Sequence, residues 1–197
     1  LYSSAASDVY KRQQLESIDP TLVVYRAEAT FVGLTVWDLY SALNSPAMVR
    51  RWNAALDDAT LIQDLGGQSA VWHVRYAPAW LAQARDATLV QTAYQSPTSI
   101  HVFSFSADEH ISELPAPAPG TVRMQVDLCG WSIEALSPTT VHVTLVEQSD
   151  PRGWLSKTRT PPQMIVAMAG AGEHVLRHGA PPCLSLIHIS EHTRRYA

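Results

Sequence analysis

Hydrophobic and polar positions change their period three times along the chain. Residues 21–32, TLVVYRAEATFV, are rich in β-branched and aromatic types and are followed by Gly33, which predicts a strand. The next stretch has a helical period: Thr35 fits an N-cap, Trp37, Tyr40 and Leu43 recur on one face, and Asn44-Ser45-Pro46 stops the run. A short second helix is expected from Ala47 to Trp52. From residue 58 to 149 the period falls to two. Ala59 to Leu65 and Ser69 to Tyr76 flank Gly66-Gly67, which supplies the positive φ angles of a tight hairpin. Further strands are expected at Thr88 to Tyr94, Ser99 to Ser106, Thr121 to Ala135 and Thr139 to Gln148, with proline-bearing breaks between several of them. Short connections between successive strands imply an antiparallel meander. The last element returns to helical spacing. Thr160-Pro161-Pro162-Gln163 reads as a capping box with proline at the first helical position. Met164, Met168, Ala171 and Val175 share one face, and Gly179 with Pro181-Pro182 ends a helix expected over about 161–178.

Such a helix must bury its apolar face, and the sheet is the large surface available to it. The expected class is therefore α+β, with a curved antiparallel sheet wrapped round a long C-terminal helix and an apolar cleft between them for a small hydrophobic ligand. Gly170 and Gly172 lie inside that helix, where glycine costs about 1 kcal/mol relative to alanine. Room for a ligand and close packing on a strand both account for them.

Composition narrows the function. In 197 residues, 46% are hydrophobic and 16% charged, which suits one folded domain rather than a disordered linker. A net charge of -4 with scattered Lys and Arg excludes a duplex nucleic-acid partner, which needs a clustered basic face. No run approaches the roughly 20 apolar residues of a membrane span. Cys129 and Cys183 lack metal-ligand or disulfide-framework spacing, so no metal or other cofactor is expected, and a reducing, cytoplasmic location is the default. Residues 1–13, LYSSAASDVYKRQ, and 184–197, LSLIHISEHTRRYA, resemble translated sequencing-adapter read-through and are set apart as foreign, leaving 14–183 as the domain.

Arg85-Asp86, Gly130-Trp131-Ser132-Ile133-Glu134, Thr140 to Thr144 and Asp150-Pro151-Arg152-Gly153-Trp154-Leu155-Ser156-Lys157 resemble, in order and spacing, the signature of START (steroidogenic-acute-regulatory-related lipid transfer) domains. Trp72 to Tyr76 is similar to the strand that precedes the family's Arg-Asp pair, and the resemblance extends from about Val24 to His178. It implies a helix-grip fold holding one sterol, phospholipid, ceramide or fatty-acid-type lipid, for transfer or sensing and without catalysis. The family usually opens with a helix and two further strands, which Gln14 to Pro20 is too short to supply, so the N-terminal elements are expected to be truncated and one sheet edge left unpaired. Several sterol-binding members carry an arginine in the cavity where this chain has Gln91.

From the residues themselves, Asp150-Pro151-Arg152-Gly153 has the composition of a β-turn, and Arg85 and Asp86, being adjacent on a strand, point to opposite faces. Alternation puts Leu89, Gln91 and Ala93 on one face of their strand, and the match of Gln91 to the family's polar position implies that this face lines the cavity. The other ligand-lining candidates are His73 on the neighbouring strand and Met164, Met168, Ala171 and Val175 from the helix, for which a plain core is equally consistent. Gln91 either orients a ligand headgroup or satisfies a core neighbour. Two rival readings remain. A polyketide cyclase or aromatase-like enzyme would need acid–base groups converging on the cleft, for which His73, His101, His142 and Asp127 are available. A recognition module would make transient contact with a membrane surface through Trp154-Leu155, flanked by Lys157 and Arg159.

Overall fold

In the computed structural model, residues 11–15, 23–78, 83–107, 114–117, 119–153 and 163–181 are described. They form β1 (Lys11–Leu15), β2 (Val24–Val32), α1 (Val36–Leu43), α2 (Pro46–Val49), β3 (Leu56–Gly66), β4 (Ser69–Tyr76), β5 (Ala84–Gln95), β6 (Ser99–Ser106), β7 (Thr121–Arg123), β8 (Gln125–Ser137), β9 (Thr140–Asp150) and α3 (Gln163–His178). The strands make one curved, open sheet in the order β1-β2-β9-β8-β6-β5-β4-β3, antiparallel throughout, with β7 added parallel to β5. This is the expected α+β arrangement, with α3 lying on one face of the sheet.

Several expectations are corrected. The edge of β2 is not unpaired, because Lys11–Leu15 pair with it antiparallel, Lys11 opposite Glu28 and Leu15 opposite Val24. The single strand expected from Thr121 to Ala135 is two. β6 leaves β5 where Ala107 N–H donates to the Thr88 carbonyl, and β7 takes the vacated edge at residues 84–86. The Met124 N–H still donates to the Asp86 carbonyl, whereas the Val126 N–H has turned to the Ser106 hydroxyl, so the backbone changes partner at that point. In α1 the buried stripe is Leu39, Tyr40 and Leu43, while Trp37 is 38% exposed. The cap itself is as expected, with Thr35 and Asp38 exchanging side chain-to-backbone hydrogen bonds of 2.9 and 3.1 Å. The second helix starts at Pro46, capped by Ser45, and ends at Val49. Gly66, Gly67 and Gln68 all have positive φ in the β3–β4 turn. The capping box at 160–163 lies partly outside the described residues, as do the chain ends 1–10 and 182–197. Gly179, at φ +76° with its N–H donating to the Val175 carbonyl, closes α3 as a C′ residue.

The main core brings Met168, Ala171 and Val175 of α3 against Ala27, Ala29 and Phe31 of β2, Val141, Val143 and Leu145 of β9, and Leu39, Tyr40 and Leu43 of α1. A second cluster gathers Leu56, Val74, Ala87, Leu89 and Val126. The helix glycines are packing devices. A Cβ on Gly172 would stand 2.2 Å from the Phe31 ring, and one on Gly170 would touch Trp52 at 3.4 Å. Gly172→Ala is therefore expected to destabilise by about 1–3 kcal/mol, as overpacking does. Gly170→Ala, which gains helix propensity at a bearable contact, should change stability by less than about 1 kcal/mol. Urea unfolding of both variants checks this, and equal midpoints would sink the distinction.

Candidate functional site

Directly opposed residues in an antiparallel sheet share a face, so register identifies which side chains meet α3. Tyr25 of β2 opposes Glu147 of β9, which opposes Cys129 of β8. Ala93 of β5 opposes Val102 of β6, which opposes Trp131 of β8. Leu89 opposes Trp72, Ala87 opposes Val74, and Arg85 opposes Tyr76. These residues line the inner face, the one that carries the helix. Between the two packed clusters lies a band of inward-facing side chains that are only partly covered: Trp72, Tyr76, Gln91, Cys129, Trp131 and Glu147.

Of the residues singled out from sequence, the structure places Leu89 and Gln91 on this face and packs Met168, Ala171 and Val175 fully into the main core. Gln91 donates its amide N–H to the Asn44 carbonyl at 2.8 Å, tying β5 to the C-terminal end of α1. The side chain of Met164 lies outside the described residues. His73 is the correction. It opposes Thr88, one position out of phase with the Trp72–Leu89 pair, and so belongs to the outer face.

There His73 Nε2 lies 3.0 Å from Asp86 Oδ2, and Arg123 donates to both Asp86 oxygens at 2.9 Å. Burial alone would raise the Asp86 carboxyl, but the hydrogen bonds from Arg123 and His73 outweigh it and hold the group below its ordinary value. Arg85, pointing the other way, donates to the carbonyls of Pro151 and Arg152 and also to that of Gln83. The turn it grips has Arg152 at φ +50° and Gly153 at φ +72°, with Arg152 N–H held by Asp150 Oδ1 at 2.8 Å. The two adjacent charges thus fasten two different loops, one on each side of the sheet.

Sequence reasoning missed Glu147, Cys129 and Tyr76. Burial raises the Glu147 carboxyl, opposed in part by the Ser149 hydroxyl, which donates to Oε1 at 3.0 Å. Burial also raises the Cys129 thiol, with the Glu147 charge adding to it. The Tyr76 phenol is raised by burial first, then by Cys129 and Glu147. The signal for Glu147 was available: it continues the inward series Val141, Val143, Leu145 by one more step of two.

The START domain family matches residues 6–166 of the sequence. The chain belongs to that family. Among curated proteins none matches it in sequence. Of solved structures, human StAR-related lipid transfer protein 5 is similar at a TM-score of 0.76 and 18% identity, covering 86% of this chain and 83% of that one. Human STARD10 is similar at 0.68 and 16%, over 85% and 74%. The Zhui aromatase/cyclase from Streptomyces sp. R1128 is similar at 0.51 and 11%, over 79% and 97%. At such identities these likenesses establish the fold. Within this START domain, the Arg85-Asp86 pair is seen to be architectural, each residue fastening a different loop. No helix among the described residues is long and apolar enough to cross a membrane.

Proposed function

We propose that this START domain holds one hydrophobic lipid against the inner face of its sheet, beneath α3, for transfer or sensing, and performs no chemistry. The observation that carries the reading is the band of incompletely covered side chains between two packed clusters, on the face the helix spans. A packed interior leaves few gaps larger than a water molecule, so an inward-facing Trp, Tyr and Gln with surface to spare point to an occupant. Family membership supports it, as does the likeness of fold to human StAR-related lipid transfer protein 5. Leu89 and Gln91 line the proposed site. Met168, Ala171 and Val175 form its floor by holding α3 in place.

The distribution of acid–base groups supports a binding role over a cyclase-like one. His73, His101 and His142 all lie on the outer face. His101 stacks between Tyr94 and Phe103, His142 lies against Thr30 and Glu28, and Asp127 is exposed. General acid–base chemistry needs such groups within hydrogen-bond reach of the substrate, and the outer face is the wrong side for that. Trp154, Leu155, Lys157 and Arg159, on which the reading as a membrane-recognition module rests, lie outside the described residues.

Native mass spectrometry of the purified chain, offered sterols, phospholipids, ceramides and fatty acids in turn, tests the reading. A one-to-one adduct with one class is expected. A folded chain that takes up none of them would overturn it.

A further inference from the structure

The part of the inner face where β9, β8 and β4 contribute Glu147, Cys129 and Tyr76 is polar, and Glu147 and Tyr76 keep hydrogen-bonding capacity to spare. Among the described residues, Glu147 has one hydrogen-bond partner, the Ser149 hydroxyl on Oε1. The Tyr76 hydroxyl forms none. The unpaired oxygens keep some exposed surface, because Thr88 Oγ1 is the one fully buried side-chain polar atom without a partner among the described residues. A carboxyl with its second oxygen unpaired and a phenol without a partner, both facing inward, are placed to receive one from a ligand.

From this we infer that Glu147 and Tyr76, with Cys129 beside them, form the anchoring subsite for the polar end of the bound lipid, and that the subsite selects an uncharged hydroxyl end over a carboxylate or phosphate. The inference rests on the lipid-binding reading and specifies its ligand. The selectivity follows from charge. Among the described side chains Arg85 is the one cation on the inner face, and its guanidinium is engaged by three backbone carbonyls. An anionic headgroup would therefore enter an already acidic, poorly hydrated site with no countercharge, which is costly. A hydroxyl suits either state of Glu147, donating to the carboxylate or accepting from the neutral acid. Cys129 contributes bulk without charge, since burial keeps its thiol protonated.

Hexadecanol and hexadecanoate differ only at the end in question, so the test is their affinity for the full chain near neutral pH, each measured by displacement of a fluorescent fatty probe. Hexadecanol is expected to bind roughly tenfold or more tightly than hexadecanoate, the scale on which a site built around a hydroxyl discriminates. Glu147→Gln, which removes the charge and keeps the shape, should bring the two ligands within about threefold of each other, mainly by admitting hexadecanoate. Tyr76→Phe should weaken hexadecanol several-fold, and it provides an independent check should the first variant fold poorly. Equal binding of the two ligands to the parent chain, or a ratio unmoved by Glu147→Gln, overturns the subsite while leaving lipid binding intact. Binding of neither ligand, nor of any lipid class offered to the chain, overturns both.

Discussion

Replacing Asp86 with alanine is expected to lower the unfolding free energy by about 3 kcal/mol, the lower end of the range for removing one partner of a buried ion pair. Asp86 is 0% exposed and receives two hydrogen bonds from Arg123 while facing His73. Arg123 in turn donates to the Pro115 carbonyl, so the carboxylate holds in place the residue that fastens the loop ahead of β7. The lower end is chosen because Arg123 and His73 keep some contact with solvent and would be partly rehydrated. The pH dependence has a definite sign. A carboxyl that titrates lower in the folded than in the unfolded chain stabilises above its unfolded value, near 4, and that contribution is lost as pH falls through the folded value. Glu147, raised by burial, runs in the opposite direction: its contribution is full below the unfolded value and declines as pH rises towards the folded one. Asp86→Asn should therefore lose less stability than the parent on acidification below about pH 4. Denaturant titrations at several pH values measure both effects. A loss under about 1 kcal/mol for the alanine variant would show that the network is ornamental.

Met168→Ala should cost about 2–5 kcal/mol, the range for deleting a fully buried large side chain. Met168 has no exposed surface and stands where α3 meets β2, β9 and α1, so its removal leaves a void that the rigid sheet cannot collapse to fill. Thermal or urea unfolding of the lipid-free chain reads the loss. A bound lipid whose tail reaches this void should restore part of it, since a ligand that binds only the folded state stabilises it. A neutral substitution would mean that α3 does not rest on the sheet through this residue, and the proposed floor of the site would fall with it.

How much of this was legible in the sequence depended on whether the signal was local. Ser69–Tyr76 and Ser99–Ser106 stand where alternation placed them, because Gly66-Gly67 and Ser96-Pro97 punctuate them sharply. The break between β7 and β8 was not legible. Its cause is the end of β6 on a neighbouring strand, which leaves no mark between Thr121 and Ala135. Trp37 satisfied the helical period as well as Leu39 did, and only the direction from which the sheet approaches decides between them. His73 shows the limit most plainly. Parity within β4 was readable, but which parity faces α3 depends on the β4–β5 register. Glu147 was overlooked for the opposite reason: its inward parity was visible, and its charge argued against burial. The conflict between pattern and residue type was itself the clue, since such conflicts gather at functional sites.

The pairing of β2 with β9 sets the order in which this molecule can be made. β2 comes near the start of the described strands, yet its neighbour on the inner side of the sheet order is the last of them in the chain, with Tyr25 waiting for Glu147. The hairpins from β3 to β6 can close among themselves as they emerge, through contacts between consecutive strands. Until β9 and α3 arrive, Ala27, Ala29 and Phe31 have no core to enter. Such long-range pairing folds slowly and leaves a sticky strand waiting in the meantime. A lipid therefore cannot be enclosed until β9 and α3 have been made, and among the described strands β2 waits longest for one of its partners.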